Sequence, residues 1–230
     1  MPKNSHEHDT LEALMKKEST FSRKLILQSI YRAWYERIFK YCIKPGKTLE
    51  IGSGFAFSKK IFPACITSEI LPSPWVDIVC DAQKLPVKNN SLSNIIAIDV
   101  LHHIADIDLF FKECARALAP QGKIIITDMY VSALSSGILR WGHFEDFASI
   151  AKATRLFFKK TGVPVWQKDF TLTSKEMHDC LAYPLSGGFN YPSVLPGKML
   201  TRILQLEDKL GFLRPIMAFK STVVLEKKGT

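Results

Sequence analysis

Short apolar runs alternate with helix-like segments between residues 48 and 129. Runs rich in β-branched residues, which are typical of buried strands, begin near Thr48, Ile66, Val76, Ile95 and Lys123. Glycine, proline or acidic residues follow these runs, and amphipathic segments separate several of them. This alternation predicts an α/β fold built on a doubly wound sheet.

The flanking segments show helical periodicity. Apolar residues spaced four to five apart predict one helix over residues 20–42 with a single apolar stripe. Such a helix can lie on a membrane, or it can pack on the sheet and cover a ligand pocket. Beyond the core, the pattern predicts helices over residues 141–160, 173–181 and 200–210, a loop rich in glycine, proline and aromatic residues over 183–192, and a last strand over 218–226.

Composition narrows the class of protein. Of the 230 residues, 47% are hydrophobic, which excludes a disordered chain, and no apolar run is long enough to cross a membrane. With no signal-peptide pattern at the N-terminus, we expect a cytoplasmic protein. The net charge of +9 comes from scattered residues, which favours a solvated basic surface over a nucleic-acid site. The five cysteines include no C-x-x-C pair, so we expect no metal site.

A glycine turn follows the first strand, in the sequence Thr-Leu-Glu-Ile-Gly-Ser-Gly that starts at Thr48. Gly52 and Gly54 predict a turn that lets a ligand approach the backbone, followed by a short helix over residues 56–62. A dinucleotide fingerprint would place glycine or alanine three residues after Gly54, where this chain has Phe57. The turn therefore predicts a site for a nucleotide-like ligand, but the sequence does not favour a ligand that carries a pyrophosphate group.

Each of the first four apolar runs contains a carboxylate or is followed by one. These residues are Glu50, Glu69, Asp81 and Asp99. In an open parallel sheet, ligands bind beyond the carboxyl ends of the strands. The four acids are therefore expected at one ligand-binding edge.

With these motifs in this order, residues 45–129 resemble the class I S-adenosylmethionine-dependent methyltransferases. The similarity is to the small-molecule, type 11-like branch with a Glu-x-Gly-x-Gly first motif. It implies a Rossmann-like, doubly wound sheet of seven strands, N-terminal helices and an inserted lid region. The chain departs from many relatives at Ala56, where they have a third glycine. Alanine is small enough for us to expect cofactor binding to survive.

The resemblance implies S-adenosylmethionine as the cofactor and a role for each motif. Glu69 would accept hydrogen bonds from both ribose hydroxyls, because a carboxylate offers two acceptor oxygens. Glu50 would help to receive the cofactor's ammonium group. The other expected contacts are backbone at Gly52, Ser53 and Gly54 for the methionine part, Asp81 and Ala82 for the adenine, and backbone near Asp99 for the methionine end.

Candidate catalytic groups follow the fourth and fifth strands. His103 and His102 stand just past the fourth strand, and a neutral imidazole has a suitable pKa for deprotonating a hydroxyl. A His-His pair at this position also occurs in relatives with different substrates, which favours a structural role. Asp128 and Tyr130, at the end of the fifth strand, are rival candidates.

We divide the chain into an N-terminal helical cap (1–44), a cofactor-binding core (45–130), a variable lid or substrate insertion (131–198) and a C-terminal helix with an edge strand (199–230). The expected activity is methylation of a small molecule, or of an envelope glycan or lipid-type acceptor. Peripheral membrane contact through the N-terminal helix is a further hypothesis, and the oligomeric state is left open.

Two alternatives remain. The net charge allows an RNA or tRNA methyltransferase, but no added RNA-binding module is visible and the Asn/Asp-Pro-Pro-Tyr/Phe motif is absent, so we do not expect a nucleic-acid partner. A catalytically silent partner subunit would show degraded cofactor motifs, and here they are intact apart from Ala56.

Overall fold

A mixed seven-stranded sheet forms the centre of the protein, in the order β3-β2-β1-β4-β5-β7-β6. The computed structural model describes residues 10–142, 147–158, 163–194, 199–209 and 211–229. The first five strands in this order run parallel, whereas β7 is antiparallel to both β5 and β6. The expected Rossmann-like sheet is therefore confirmed. The strands are β1 (Thr48–Ile51), β2 (Ile66–Glu69), β3 (Ile78–Val79), β4 (Leu92–Ile98), β5 (Leu118–Met129), β6 (Phe170–His178) and β7 (Lys220–Lys227).

Helices cover both faces of the sheet. In chain order they are α1 (Leu11–Arg23), α2 (Leu25–Tyr41), α3 (Ile107–Ala117), α4 (Ala133–Gly142), α5 (Phe147–Phe158), α6 (Ala182–Ser186), α7 (Leu200–Lys209) and α8 (Arg214–Met217). One apolar core joins α3 and α5 to the sheet, and another joins α1, α2, α6 and α7 to the opposite face.

Strand periodicity explains why two cores form. Consecutive side chains on a strand point to opposite faces, so buried parallel strands read as unbroken apolar runs. Ile124 and Ile126 accordingly belong to the α3 side, whereas Ile125 belongs to the α2 side. Ile95 and Ile96 on β4 divide in the same way.

Two predicted helices have different bounds in the structure. The helix expected over 20–42 is broken at Lys24, whose φ/ψ of −100°/85° is not helical, and its N–H bonds back to the carbonyls of Phe21 and Thr20. After the glycine turn, the expected helix over 56–62 is only a 3₁₀ segment, Phe57–Lys60, preceded by Ala56 in the left-handed region.

The helix predicted over 173–181 is wrong. Residues Phe170–His178 form strand β6, which pairs along its length with β7. Thr173 and Glu176 have the spacing of a capping box, but the tertiary partner β7 overrides that local preference. β6 is the antiparallel edge partner that the sequence pattern did not place.

The position of β6 also revises the proposed boundaries. The segment 131–198 is not one insertion, because β6 within it belongs to the central sheet. The loop expected over 183–192 contains most of the short helix α6, and α4 was not predicted. Some residues of the predicted cap, insertion and C-terminal segment lie outside the described residues, namely 1–9, 143–146, 159–162, 195–198, 210 and 230.

The apolar stripe of α2 packs inside the protein. Its large side chains are buried against the sheet and α6, including Leu27, Ile30, Trp34 and Ile38. These side chains are therefore not available for the membrane contact that the stripe suggested. In the part of the chain that the structure describes, no helix combines the length and the apolar character needed to cross a membrane.

Candidate active site

The glycine turn lies where the strand order reverses, between β1 and β4. Gly52 and Gly54 both have positive φ, at +64° and +54°. A Cβ at Gly52 would come within 2.4 Å of the Val100 side chain, which follows β4. Glycine at position 52 therefore lets the two strand ends approach each other, which is the crevice that ligands use in open α/β sheets.

Glu69, the last residue of β2, reaches the turn. Its Oε2 accepts a hydrogen bond from the Gly54 N–H at 2.9 Å, and its Oε1 accepts one from the Ile70 N–H at 2.8 Å. The side chain is half-buried, and each carboxylate oxygen retains a further lone pair. A vicinal diol placed over the turn would find both acceptors.

Glu50 has a different environment from the other acids. Its carboxylate is buried on β1 and accepts hydrogen bonds from the hydroxyls of Tyr35, at 2.5 Å, and Ser58. Burial raises the pKa of Glu50, although the hydroxyl donors oppose the shift. The residue ties α2 to the segment after the glycine turn, and its role toward a cofactor ammonium stays a prediction.

Asp81 and Ala82 follow β3 at the same edge of the sheet. The Asp81 carboxylate accepts a hydrogen bond from the Gln83 N–H at 2.8 Å and is exposed, whereas Ala82 is buried. An exposed acid beside an apolar residue suits the edge and face of an adenine, and the adenine contact stays a prediction.

Asp99 follows β4 with φ at +57°, an uncommon value for a residue with a side chain. Its N–H donates to the Thr127 carbonyl at 2.9 Å, and its carboxylate forms an ion pair with the Lys220 ammonium. Burial raises the pKa of Asp99, whereas Lys220 opposes that shift. At this corner the Asp99 carboxylate is directed to Lys220, whereas the side chain of the next residue, Val100, faces the glycine turn.

His102 and Asp128 form a buried pair beside this corner. Asp128 Oδ1 lies 2.6 Å from His102 Nδ1 and accepts a second hydrogen bond, from the Met129 N–H, at 2.7 Å. Since a carboxylate only accepts, the contact places the imidazole proton on Nδ1 and leaves Nε2 as the basic nitrogen. His103 is exposed, and its ring packs beside that of His102, with centroids 4.1 Å apart.

Aromatic side chains from α1, α2 and the segment after β6 form a wall on the α2 side. Trp34 and Tyr183 pack with their ring centroids 5.3 Å apart, and Phe21 contacts Phe55 of the turn at 4.9 Å. Phe21 also contacts Phe57 and Phe189. This aromatic wall, defined by Phe21, Tyr31, Trp34, Tyr183 and Phe189, joins the N-terminal helices to the glycine-rich loop.

These features fit S-adenosylmethionine. The turn brings the backbone close to the crevice, and Glu69 beside it suits a ribose. A cavity of about 190 Å³ adjoins the turn and is lined partly by Phe55, Phe57 and Trp75. In the described part of the chain, no group of three or more His, Cys, Asp or Glu side chains is arranged to hold a metal ion.

Two residues beside this site, Lys220 and Asp179, were not found from the sequence. In the sequence, Lys220 stands at the start of an apolar strand, where a lysine is expected to be exposed to solvent. Asp179, in the left-handed region at φ +58°, accepts hydrogen bonds from the Trp34 indole N–H and the Tyr183 N–H. Neither residue belongs to a local motif, because each acquires its partners only through the tertiary fold.

Comparison with known families and structures agrees with this geometry. The sequence model of a family described as "Methyltransferase domain" matches residues 61–126. A search of curated proteins found no match. The family match runs from just before β2 into β5, the part of the chain that carries Glu69, Asp81, Asp99 and the His-His pair.

Solved structures show the same fold at low sequence identity. An S-adenosylmethionine-dependent methyltransferase from Archaeoglobus fulgidus is 14% identical, with a TM-score of 0.57, over 87% of this chain and 94% of that one. One from Thermotoga maritima is also 14% identical, with a TM-score of 0.57, over 94% of this chain and 99% of that one.

A third structure holds ligands. It is Haemonchus contortus phospholethanolamine N-methyltransferase 2, in complex with phosphomonomethylethanolamine and S-adenosylhomocysteine. It is 16% identical, with a TM-score of 0.56, over 98% of this chain. This chain spans 59% of the length of that enzyme.

Proposed function

We propose that this chain, a class I S-adenosylmethionine-dependent methyltransferase by its fold and its methyltransferase-domain match, methylates a small acceptor of apolar or aromatic character. The observation that carries the acceptor class is the half-buried part of the aromatic wall, the rings of Tyr31, Tyr183 and Phe189, which pack over the buried rings of Phe21 and Trp34 on the α2 side of the sheet. Aromatic walls with few polar groups bind rings and apolar chains. An envelope glycan or lipid intermediate with an apolar part belongs to this class.

The chain's own residues align the acceptor and move a proton. When bound, the cofactor supplies an electrophilic methyl group for an in-line displacement. In the proposed arrangement, His102 Nε2 would accept the proton of an acceptor hydroxyl as its oxygen bonds to the methyl carbon, while the carbon–sulfur bond of the cofactor would break and S-adenosylhomocysteine would leave. Asp128 fixes the tautomer and stabilises the resulting imidazolium. Of the two neighbouring histidines, His102 is the one whose tautomer is set by a carboxylate, and this supports choosing it over the exposed His103 as the base.

The first prediction concerns the cofactor. We expect S-adenosylhomocysteine to bind and NAD not to bind, because Phe57 replaces the small residue of a dinucleotide fingerprint. Glu69→Ala should weaken S-adenosylhomocysteine binding by about 1–3 kcal/mol, since the ribose hydroxyls lose a charged acceptor. Calorimetric titration of each ligand measures both effects.

Two variants make this test specific. Glu69→Gln keeps the size of the side chain but removes its charge, so an intermediate loss is expected. Glu36→Ala changes an exposed acid on α2 and should bind like the wild type. If NAD binds and S-adenosylhomocysteine does not, the proposed function is overturned. If folded Glu69→Ala binds S-adenosylhomocysteine normally, Glu69 is not the residue that contacts the ribose.

A second prediction concerns the glycine-rich loop beside the aromatic wall. The Lys24 ammonium donates to the carbonyl of Gly188 at 2.6 Å and to that of Tyr191, which ties the loop to the break between α1 and α2. We therefore expect Lys24→Met to accelerate amide hydrogen exchange over residues 187–191 roughly three- to tenfold. Lys40→Met, at an exposed position on α2, is the matched control.

The same measurement addresses the predicted lid. A Cβ at Gly187 would lie 2.4 Å from the Tyr191 carbonyl oxygen, so this glycine is needed by the turn itself. A lid predicts slower exchange over residues 185–191 when cofactor and acceptor are bound. Unchanged exchange in Lys24→Met and in the bound state would identify a fixed loop instead.

A further inference from the structure

The side chain of Lys220 is among the most deeply buried in the protein, with 1% of its surface exposed. It begins β7 opposite Met129, at the edge of the sheet where the carboxyl ends of β4 and β5 lie. A buried ammonium is strongly unfavourable unless it is paired, so its neighbours must offset the lost hydration.

Those neighbours come from three separate parts of the fold. The Asp99 carboxylate, just after β4, forms an ion pair with the ammonium. The Trp34 ring of α2 and the Tyr183 ring of α6 lie 4.7 and 5.4 Å from Nζ, within the range of cation–π attraction. One ammonium therefore joins the aromatic wall to the corner after β4.

The corner in turn contacts the glycine turn. Asp99 holds a left-handed conformation that its side chain disfavours, and the ion pair with Lys220 stabilises it there. The next side chain, Val100, lies where a Cβ on Gly52 would be. The ammonium, Asp99, Val100 and the glycine turn therefore form one continuous series of contacts.

We propose that Lys220 is a positioning residue that couples the aromatic wall to the cofactor turn through Asp99 and Val100. The proposal rests on the proposed function, in which the cofactor lies across Gly52 and Gly54. Its role depends on the charge of the side chain, since Asp99 and the two rings all attract a cation. An uncharged side chain of the same length fills the space but does not stabilise the conformation of Asp99.

Charge variants at this position separate coupling from packing. Lys220→Met keeps the length and loses the ammonium, and we expect S-adenosylhomocysteine to bind at least about tenfold more weakly. Lys220→Arg keeps a cation and should bind within about threefold of the wild type. Lys227→Met is the matched control, because Lys227 ends the same strand and donates instead to Asn90 and Leu118, at the opposite edge of the sheet.

Calorimetry on the folded variants reads these affinities, and circular dichroism checks the fold of each one. Wild-type affinity in Lys220→Met would overturn the proposal, as would a loss in Lys227→Met equal to that in Lys220→Met. A wild type that fails to bind S-adenosylhomocysteine would instead overturn the proposed function itself.

A measurement on the wild type keeps the proposal testable if Lys220→Met does not fold. Adding S-adenosylhomocysteine should slow amide hydrogen exchange at Asp99 and Val100 and also at residues 183–188, which lie on the wall side of Lys220. Protection confined to the turn and Glu69, with exchange unchanged over residues 183–188, would show that the two regions are not coupled.

Discussion

Replacing Gly52 with valine is expected to abolish detectable S-adenosylhomocysteine binding, with a loss of at least about 100-fold, and to destabilise the fold. Valine is β-branched and disfavours the φ of +64° that this residue holds. Its Cβ would also lie 2.4 Å from Val100 Cγ2, so the corner after β4 must move. Together, the disfavoured φ and the close contact with Val100 should lower the free energy of unfolding by about 2–4 kcal/mol.

The structure changes the reason for this result. The sequence suggested only that glycine at this turn lets a ligand approach the backbone, so that a side chain there would occupy the place of the ligand. In the structure the Cβ direction of Gly52 meets Val100, so the effect on the ligand passes through the corner that carries Asp99. Binding and stability should therefore fall together.

Three variants test that reason by calorimetry and urea unfolding. Gly54→Ala is the control for stability alone, because φ is also positive there but the nearest atom, Leu14 Cδ1, is 3.6 Å from the new Cβ, and its binding is not used because the cofactor is expected to lie across Gly54 as well. Gly52→Ala should lie between the control and Gly52→Val in stability. Adding Val100→Ala to Gly52→Ala should restore stability and recover binding at least about tenfold. Normal binding by Gly52→Val would mean that the cofactor does not lie across this turn.

Local patterns were sufficient to predict the parallel half of the sheet, which carries the candidate cofactor site. Parallel strands that are buried on both faces appear in the sequence as unbroken apolar runs. The turn has positive φ at positions 52 and 54, which favours glycine at both. Glu69 and Asp99 were therefore placed at the right edge from their positions in the sequence alone. Their positions in the sequence were enough because the carboxyl ends of parallel strands all lie at the same edge of the sheet.

The other half depends on contacts between distant segments, which no local pattern encodes. β6 has a helix-like capping pattern and becomes a strand only because β7 pairs with it. Glu50 lies inside a strand, and the sequence does not say that Tyr35 and Ser58 will occupy its carboxylate. Lys220 is similarly paired by residues 121 and 186 positions earlier in the chain, Asp99 and Trp34.

The buried Asp179 beneath the aromatic wall should make stability depend on pH. Burial raises its pKa to about 7, and the neighbouring Glu207 adds to this shift, while hydrogen bonds from Tyr183 and Trp34 and the charge of Lys220 oppose it. Because the folded-state pKa lies above the ordinary value of 3.8, the folded protein binds more protons in this window. Asp179 therefore stabilises the fold at low pH, and this contribution is lost as the pH rises toward about 7.

Asp179→Asn removes the titrating group while keeping the shape of the side chain. The free energy of unfolding of the variant, minus that of the wild type, should rise by about 2 kcal/mol between about pH 5.5 and pH 8. Urea unfolding at each pH measures this difference. The variant must be compared with the wild type at the same pH, because burial lowers the pKa of His178 well below its ordinary value. That histidine gives stability that is lost as the pH falls, which is the opposite trend.

Asp77→Asn supplies the matched control. Although partial burial opposes the shift, hydrogen bonds from Lys59 and Thr67 lower the pKa of Asp77, so it stays ionised throughout this range. Its difference from the wild type should therefore be constant with pH. If the difference in unfolding free energy for Asp179→Asn is also constant with pH, the Asp179 carboxylate is charged in the folded protein throughout this range. The Lys220 ammonium would then have to compensate two negative charges, those of Asp179 and Asp99.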